Sequence, residues 1–242
     1  MYDGSDTQYY LDSGYRVVAV EANPHLIRRA RERFRTAIDA QRLVCVHAAI
    51  TPRGEPAQLT LSADDLGSSS TLERWVADKQ PAGSVSVPGT TIQALFARYG
   101  IPHYLKVDIE GADRWCVLAL TSEQHPRYLS FEVRSDFEEL LHHAESVGFR
   151  RYKIINQLNF RELEHERRLY DRVRLRAVRM LGYDRPELIR RHGRFFVSGH
   201  SSGPAPWTSD GRWYSADTAL QRWRRAQEAD PENWRWYDVH AA

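Results

Sequence analysis

The chain has 242 residues and a mass of 28.1 kDa, more than the roughly 100 to 150 residues of a common single domain, so one main α/β core with an elaboration is expected. A hydrophobic share of 42%, a charged share of 27% and a mean hydropathy of -0.60 are those of a globular chain, and they exclude an apolar run long enough for a membrane-spanning helix. A net charge of +2 is too small to make the whole molecule a polyanion binder.

The first residues are polar and acidic, without the basic and apolar regions of a secretory leader, which predicts a cytoplasmic chain. A glycine turn, MYDGSD, comes first. YRVVAV from Tyr15 to Val20 then reads as a strand buried on both faces of a parallel sheet, stopping at Glu21. In ANPHLIRRARERFRTAI, Asn23 can cap a helix and Pro24 suits its first turn. Ile27, Ala30, Phe34 and Ile38 recur at helical spacing with arginines between them. LVCVHAAI (43–50) reads as a strand, the segment through PRGEP and ADDLGSSSTLE as turns and short strands, and SVSVPG as a short strand before a helix TIQALFARYG. HYLKVDIEG is predicted as the next buried strand and ADRWCVLAL as a helix. YLSFEV follows as a strand, DFEELLHHAESVG as a helix ending at Gly148, and FRRYKIINQ as a further strand. Alternation at this pace predicts a doubly wound, mostly parallel, Rossmann-like sheet.

After Gln157 the composition changes, which divides the chain into a core at 1–157 and a helical, arginine-rich elaboration at 158–242. The run FRELEHERRLYDRVRLRAVRMLGYDRPELIRRHGR carries Leu163, Tyr170, Val173, Ala177 and Met180 as an apolar stripe. A Gly/Pro/Ser stretch, a helix TALQRWRRAQ and a terminal WRWYDVHA, read as a last strand returning to the core, complete it. Cys45 and Cys116 both sit in apolar stretches, as small buried hydrophobes do.

Two constellations carry chemistry. A glycine turn at Gly4 followed by an acid at the tip of a strand, Glu21, has the form of a nucleoside-cofactor site, where the acid accepts hydrogen bonds from ribose hydroxyls. The plainer alternative is an acid that orders a βα turn. In LKVDIEG, Asp108 and Glu110 stand where a buried strand emerges at its carboxyl end. At i and i+2 of an extended chain both face one cleft, unless one of them caps the helix starting at Ala112. Lys106 within that strand is costly unless paired, and a structural ion pair is the expectation.

Taken in order, VVAVEANPHL, GSSSTL, YLKVDIEGAD and YLSFEV resemble the FkbM family of S-adenosylmethionine-dependent methyltransferases over most of residues 1–157. The downstream SSGP and D.HA pattern resembles a branch of the family with a C-terminal extension. The resemblance implies methylation of a hydroxyl on a sugar, polyketide or related small molecule. Residue by residue, it implies Gly4 and Asp6 in the cofactor loop, Glu21 on the ribose, Asn23 beside the adenosine, and Ser69 and Ser70 near the cofactor. Asp108 and Glu110 would lie by the reactive methyl and the acceptor. The family loop normally begins on a preceding strand with an acid and a further glycine. The chain starts at Met1 just after them, so it is expected to lack the central strand and the front of the loop.

The catalytic base is expected to be Asp108 or Glu110, with His142 or His143 as a second choice on a helix where surface roles are commoner. No metal is expected, because adjacent histidines do not share one helix face. The arginine-rich helix reads either as a solvated face with acid–arginine pairs such as those around Glu162, Glu164, Glu166 and Arg168, or as a docking face for an anionic or sugar-containing acceptor. The solvated face is preferred. No interleaved aromatic and basic motif points to nucleic acid. The tryptophans near the end, Trp207, Trp213, Trp223, Trp234 and Trp236, are expected to fasten the tail. Two other functions compete. A nicotinamide-dependent oxidoreductase lacks its G-x-G-x-x-G here, and an inactive methyltransferase-like binding module follows if the loop's front is lost.

Overall fold

The computed structural model describes residues 3–62, 81–109, 111–163, 188–198, 203–229 and 237–242. Two compact units emerge, one made of residues 1–103 and 107–126, the other of 104–106 and 127–242. This division cuts across the compositional change at Gln157.

The first unit begins with helix α1 (Ser5–Asp12), which the polar sequence had shown only as a turn. Its buried face is Thr7, Tyr10 and Leu11, at i, i+3 and i+4. Strand β1 (Val17–Glu21) leads through a short turn to α2 (Pro24–Arg33) and α3 (Arg35–Asp39), and then to β2 (Leu43–His47), which runs parallel to β1 from Val17↔Leu43 to Glu21↔His47. This is one βαβ unit. Leu11, Ala19, Ala30, Phe34 and Leu43 form its core, so the helical spacing of Ala30 and Phe34 buries the predicted face. Among the described residues β1 pairs with β2 alone, and Val18 on it is 42% exposed.

Three small pairings follow within the same unit. β3 (Ala49–Ile50) runs parallel to β6 (Gly89–Thr90), and β4 (Ala57–Ser62) pairs antiparallel with β5 (Pro81–Val87). Ala49, Leu59 and Val87 pack together beneath them. Helix α4 (Ile92–Tyr99) is capped by Thr91, whose hydroxyl accepts from the Ala94 N–H at 3.1 Å. Helix α5 (Asp113–Val117) is shorter than the predicted ADRWCVLAL.

The second unit is built on a four-stranded sheet in the order β7 (Tyr104–Lys106), β8 (Tyr128–Glu132), β12 (Tyr237–Ala241), β9 (Tyr152–Asn156). β7 and β8 are parallel, whereas β12 runs antiparallel to both β8 and β9. The expected parallel pairing therefore holds for β1–β2, β3–β6 and β7–β8. It fails where the chain end enters between two strands against their direction. Leu129, Phe131, Tyr152 and Val239 are fully buried in this sheet. Helices α6 (Phe137–Val147) and α7 (Ala216–Ala229) belong to the same unit, and Phe137, Trp223 and Tyr237 stack edge to face at 6.0 and 5.3 Å. Trp207 packs on Tyr104 and Tyr128 at 5.7 and 5.0 Å, so the described tail tryptophans lie against the sheet. Trp234 and Trp236 lie outside the described residues.

The arginine-dense run also departs from expectation at its end. LIRR and RFFV form an antiparallel hairpin of β10 (Leu188–Arg191) and β11 (Arg194–Val197) rather than a helix and a loop. His192 and Gly193 at its tip have φ of 48° and 78°, the paired left-handed geometry of a two-residue hairpin turn that matches strand twist. Residues 164–187, which hold most of the predicted arginine helix, lie outside the described residues. Glu162 is buried and pairs with Arg222 of α7 at 2.5 Å.

Buried polar groups tie this sheet together. The Tyr104 hydroxyl donates to Ser130 Oγ at 2.8 Å, and Ser130 Oγ lies 2.6 Å from Nδ1 of the fully buried His240. Burial, with the charges of Lys153 and Lys106, pushes His240 down to about 3, so the ring stays neutral and accepts the serine proton. Lys153, 2% exposed, donates to the Ser209 carbonyl at 2.7 Å and sits 4.4 Å from the Trp213 ring. Burial lowers its amine from 10.5 to about 8. Between those two values the unfolded chain holds a proton that the folded chain has released, so stability rises with pH across that window. Urea denaturation from pH 7 upward is expected to show this rise, up to about 3 kcal/mol, in the native chain and not in Lys153→Met.

Candidate functional site

The carboxyl end of β1 and the turn after it are held by a short relay. Glu21 Oε1 accepts the Asn23 N–H at 2.7 Å, and Asn23 Oδ1 in turn accepts the His25 N–H at 2.9 Å, capping α2. From the neighbouring strand, His47 Nε2 lies 3.1 Å from the Ala22 carbonyl, and the Ala48 N–H donates to the Glu21 carbonyl at 3.1 Å. The acid therefore does order the βα turn, as the plainer reading had it. It does so with one carboxylate oxygen, and its side chain remains half-buried at the strand tip. Asn23 is only 1% exposed and its Oδ1 serves the helix, so its visible role is the cap rather than a surface toward a ligand. His47 was missed by the sequence reading. Its register opposite Glu21 is a property of the strand pairing.

Gly4 precedes α1 with φ 80° and ψ 6°, a left-handed conformation that an L side chain adopts only at a cost. A Cβ there would also stand 2.8 Å from Phe34 Cε2, so the turn is glycine for two independent reasons. Asp3 was not singled out by sequence, yet its carboxylate accepts from both the Ser5 N–H at 2.8 Å and the Ser5 hydroxyl at 2.7 Å, and its carbonyl accepts from Arg33. These contacts close the turn and anchor it to α2. Asp6 lies in the first turn of α1, half-buried, where a negative charge complements the helix N-terminus.

The LKVDIEG segment differs from its prediction. The strand β7 ends at Lys106, and Asp108 lies beyond it, exposed. The extended run predicted through LKVDIEG thus stops short of Asp108. Its replacement has a visible cause. Asp113, 3% exposed, accepts the Ile109 N–H through Oδ1 at 2.9 Å, and the Ala112 N–H donates to the Ile109 carbonyl at 3.3 Å, drawing Ile109 back onto the start of α5. The acid seen tying this segment to α5 is Asp113, the first residue of the helix itself. Glu110, Ser69 and Ser70 lie outside the described residues. His142 is exposed and His143 half-buried on α6, as for surface and packing roles.

Gly4, Asp6, Glu21, Asn23 and Asp108 all belong to the first unit. A strand-tip acid held by a backbone N–H and a glycine turn opening onto a helix N-terminus suit a nucleoside-bearing ligand. A family model described as the methyltransferase FkbM domain matches residues 1–154.

The chain belongs to the FkbM methyltransferase family.

No curated protein and no solved structure matches the chain. The matched segment carries every FkbM site residue named from sequence, and it ends within β9. Among the described residues no group of three or more His, Cys, Asp or Glu side chains could hold a metal ion, and no helix is long and apolar enough to cross a membrane. Both cysteines are free thiols. Burial raises Cys45 against the opposing charge of Arg31, and raises Cys116 far more.

The glycine turn offers a test of this geometry. Gly4→Ala is expected to destabilise the first unit by about 1 to 3 kcal/mol, from left-handed backbone strain and the Phe34 contact, read as a lowered urea midpoint. Asn23→Ala, which removes the α2 cap, is expected to cost about 1 kcal/mol in the same measurement.

Proposed function

We propose that this FkbM methyltransferase uses S-adenosylmethionine and methylates a hydroxyl group of a small molecule such as a sugar or polyketide. The observation that carries the reading is the Glu21 carboxylate, presented at the carboxyl end of a parallel strand and oriented by the Asn23 N–H. An acid so placed accepts hydrogen bonds from vicinal ribose hydroxyls. The Gly4 turn allows close backbone approach, and the start of α1 with Asp6 lies directly after it. Ser69, Ser70 and Glu110 complete the set implied by family resemblance.

Bound S-adenosylmethionine supplies a methyl group activated on a positively charged sulfur. The protein's work is then to place an acceptor oxygen in line with that methyl and to take its proton. Positioning of this kind lowers a barrier by roughly 7 to 11 kcal/mol. Asp108, exposed just past the end of β7, is the proposed base: as the C–O bond forms and the S–C bond breaks, the hydroxyl proton passes to its carboxylate.

Titration calorimetry of the chain with S-adenosylmethionine is expected to show binding, weakened roughly 10- to 100-fold in Glu21→Gln, which keeps an oxygen for the Asn23 N–H but removes the charge. Asp108→Asn is expected to bind cofactor as the native chain does. It should lose about 10²- to 10⁴-fold in release of S-adenosylhomocysteine over a panel of sugar and polyketide alcohols. No heat and no thermal shift at millimolar cofactor would overturn the reading and leave a methyltransferase-like binding module.

A further inference from the structure

The arginines between the apolar positions of α2 and α3 have no part in the proposed chemistry. Three of them, Arg28, Arg31 and Arg35, line one cleft of about 1070 Å³ in the first unit together with Arg16, which precedes β1, and Glu32 is the one acid among the described lining residues. Arg28 lies 3.2 Å from His25 Nδ1, and no carboxylate partner is seen for the other three among the described residues. The floor is apolar, formed by Ile27, Ile38, Leu43 and Tyr99. Several guanidinium groups over an apolar floor concentrate positive potential and favour an anionic, partly apolar occupant.

The same cleft runs along β2, since Leu43, Val44, Cys45 and His47 all line it. Register shows which backbone groups are available. The Val17 N–H donates to the Arg42 carbonyl at 2.9 Å and the Ala48 N–H to the Glu21 carbonyl at 3.1 Å. In a parallel pair this phase turns the backbone groups of Val44 and Val46 toward β1, and those of Cys45 and His47 away from it. Among the described residues no strand pairs with that outer edge. Arg31 and Cys45 line the cleft together, and the Arg31 charge bears on the Cys45 thiol.

We propose that this cleft is a docking site for an acidic peptide segment in extended conformation, which adds to the outer edge of β2 as a further strand. Arg28 and Arg31 lie one turn apart on α2, at about 4.5 Å of axial rise, and Arg35 opens α3 just after it. Same-face residues of an extended chain are spaced roughly 6.6 Å apart, so acids at alternate positions meet successive guanidinium groups within the reach of arginine side chains. The intervening side chains are apolar and lie beside Val44. Charge selects the segment, and the amides and carbonyls of Cys45 and His47 set its direction.

The test uses the whole chain and a short peptide of alternating glutamate and valine, with an alternating lysine and valine peptide, tripolyphosphate and a single-stranded oligonucleotide as competitors. The glutamate peptide is expected to bind, more weakly as salt is raised, and to slow amide exchange at Cys45 and His47. The exposed triple variant Arg28→Gln/Arg31→Gln/Arg35→Gln should keep its circular dichroism and lose about tenfold in affinity. Absence of binding, equal binding of the lysine peptide, or tripolyphosphate or oligonucleotide binding as tightly without protecting those two amides would each overturn the proposal. The last outcome would make the cleft a general anion or nucleic-acid site.

Discussion

The carboxyl end of β1 depends on one carboxylate oxygen accepting one backbone N–H. A chain leaving a parallel strand must turn sharply into a helix whose first N–H groups have no partners of their own. Here Glu21 takes the Asn23 N–H and Asn23 takes the His25 N–H, so two side chains two residues apart satisfy the turn and start α2. Once α2 is started in that direction, Ala30 and Phe34 fall onto Leu11, Ala19 and Leu43. The turn thus sets the packing of the first unit as well as the position of the acid at the tip of β1.

Structure and function share residues along this line. Phe34 fills the core and also fills the space a Gly4 side chain would need, so the Gly4 turn is held by the residue that joins the two arginine-bearing helices. Arg33 reaches back to the Asp3 carbonyl and joins the two segments from the other side. In the second unit the buried network plays the corresponding part. His240 and Ser130 resemble a base and a nucleophile in their spacing, but full burial makes the ring a weak base and shuts both groups off from solvent, and the pair aligns β12 with β8.

Helices with strong apolar spacing were legible, because Ile27, Ala30 and Phe34 leave little choice of face, and the strands VVAV and YLSF were legible as unbroken β-branched and aromatic runs. Three features were not. Helix α1 has too few apolar residues to register as amphipathic until Thr7, Tyr10 and Leu11 are seen buried. The hairpin β10–β11 was hidden in an arginine-dense run, where charge masks the period of two and only His192–Gly193 signals the turn. The strand at Asp108 was overextended, because no local rule says that Asp113 will reach back to the Ile109 N–H.

Sequence by itself determined the family, the alternation of strand and helix, and the identity of Glu21 as the acid at a strand tip. Each of these rests on short-range pattern, where backbone periodicity and turn chemistry act within a few residues. Only the tertiary structure decided that His47 pins the Ala22 carbonyl, that the terminal strand enters antiparallel between β8 and β9, and that four arginines spread over twenty residues line one cleft beside the outer edge of β2. Those outcomes depend on strand register and crossover packing, which are settled by contacts between segments far apart in the chain and leave no local trace.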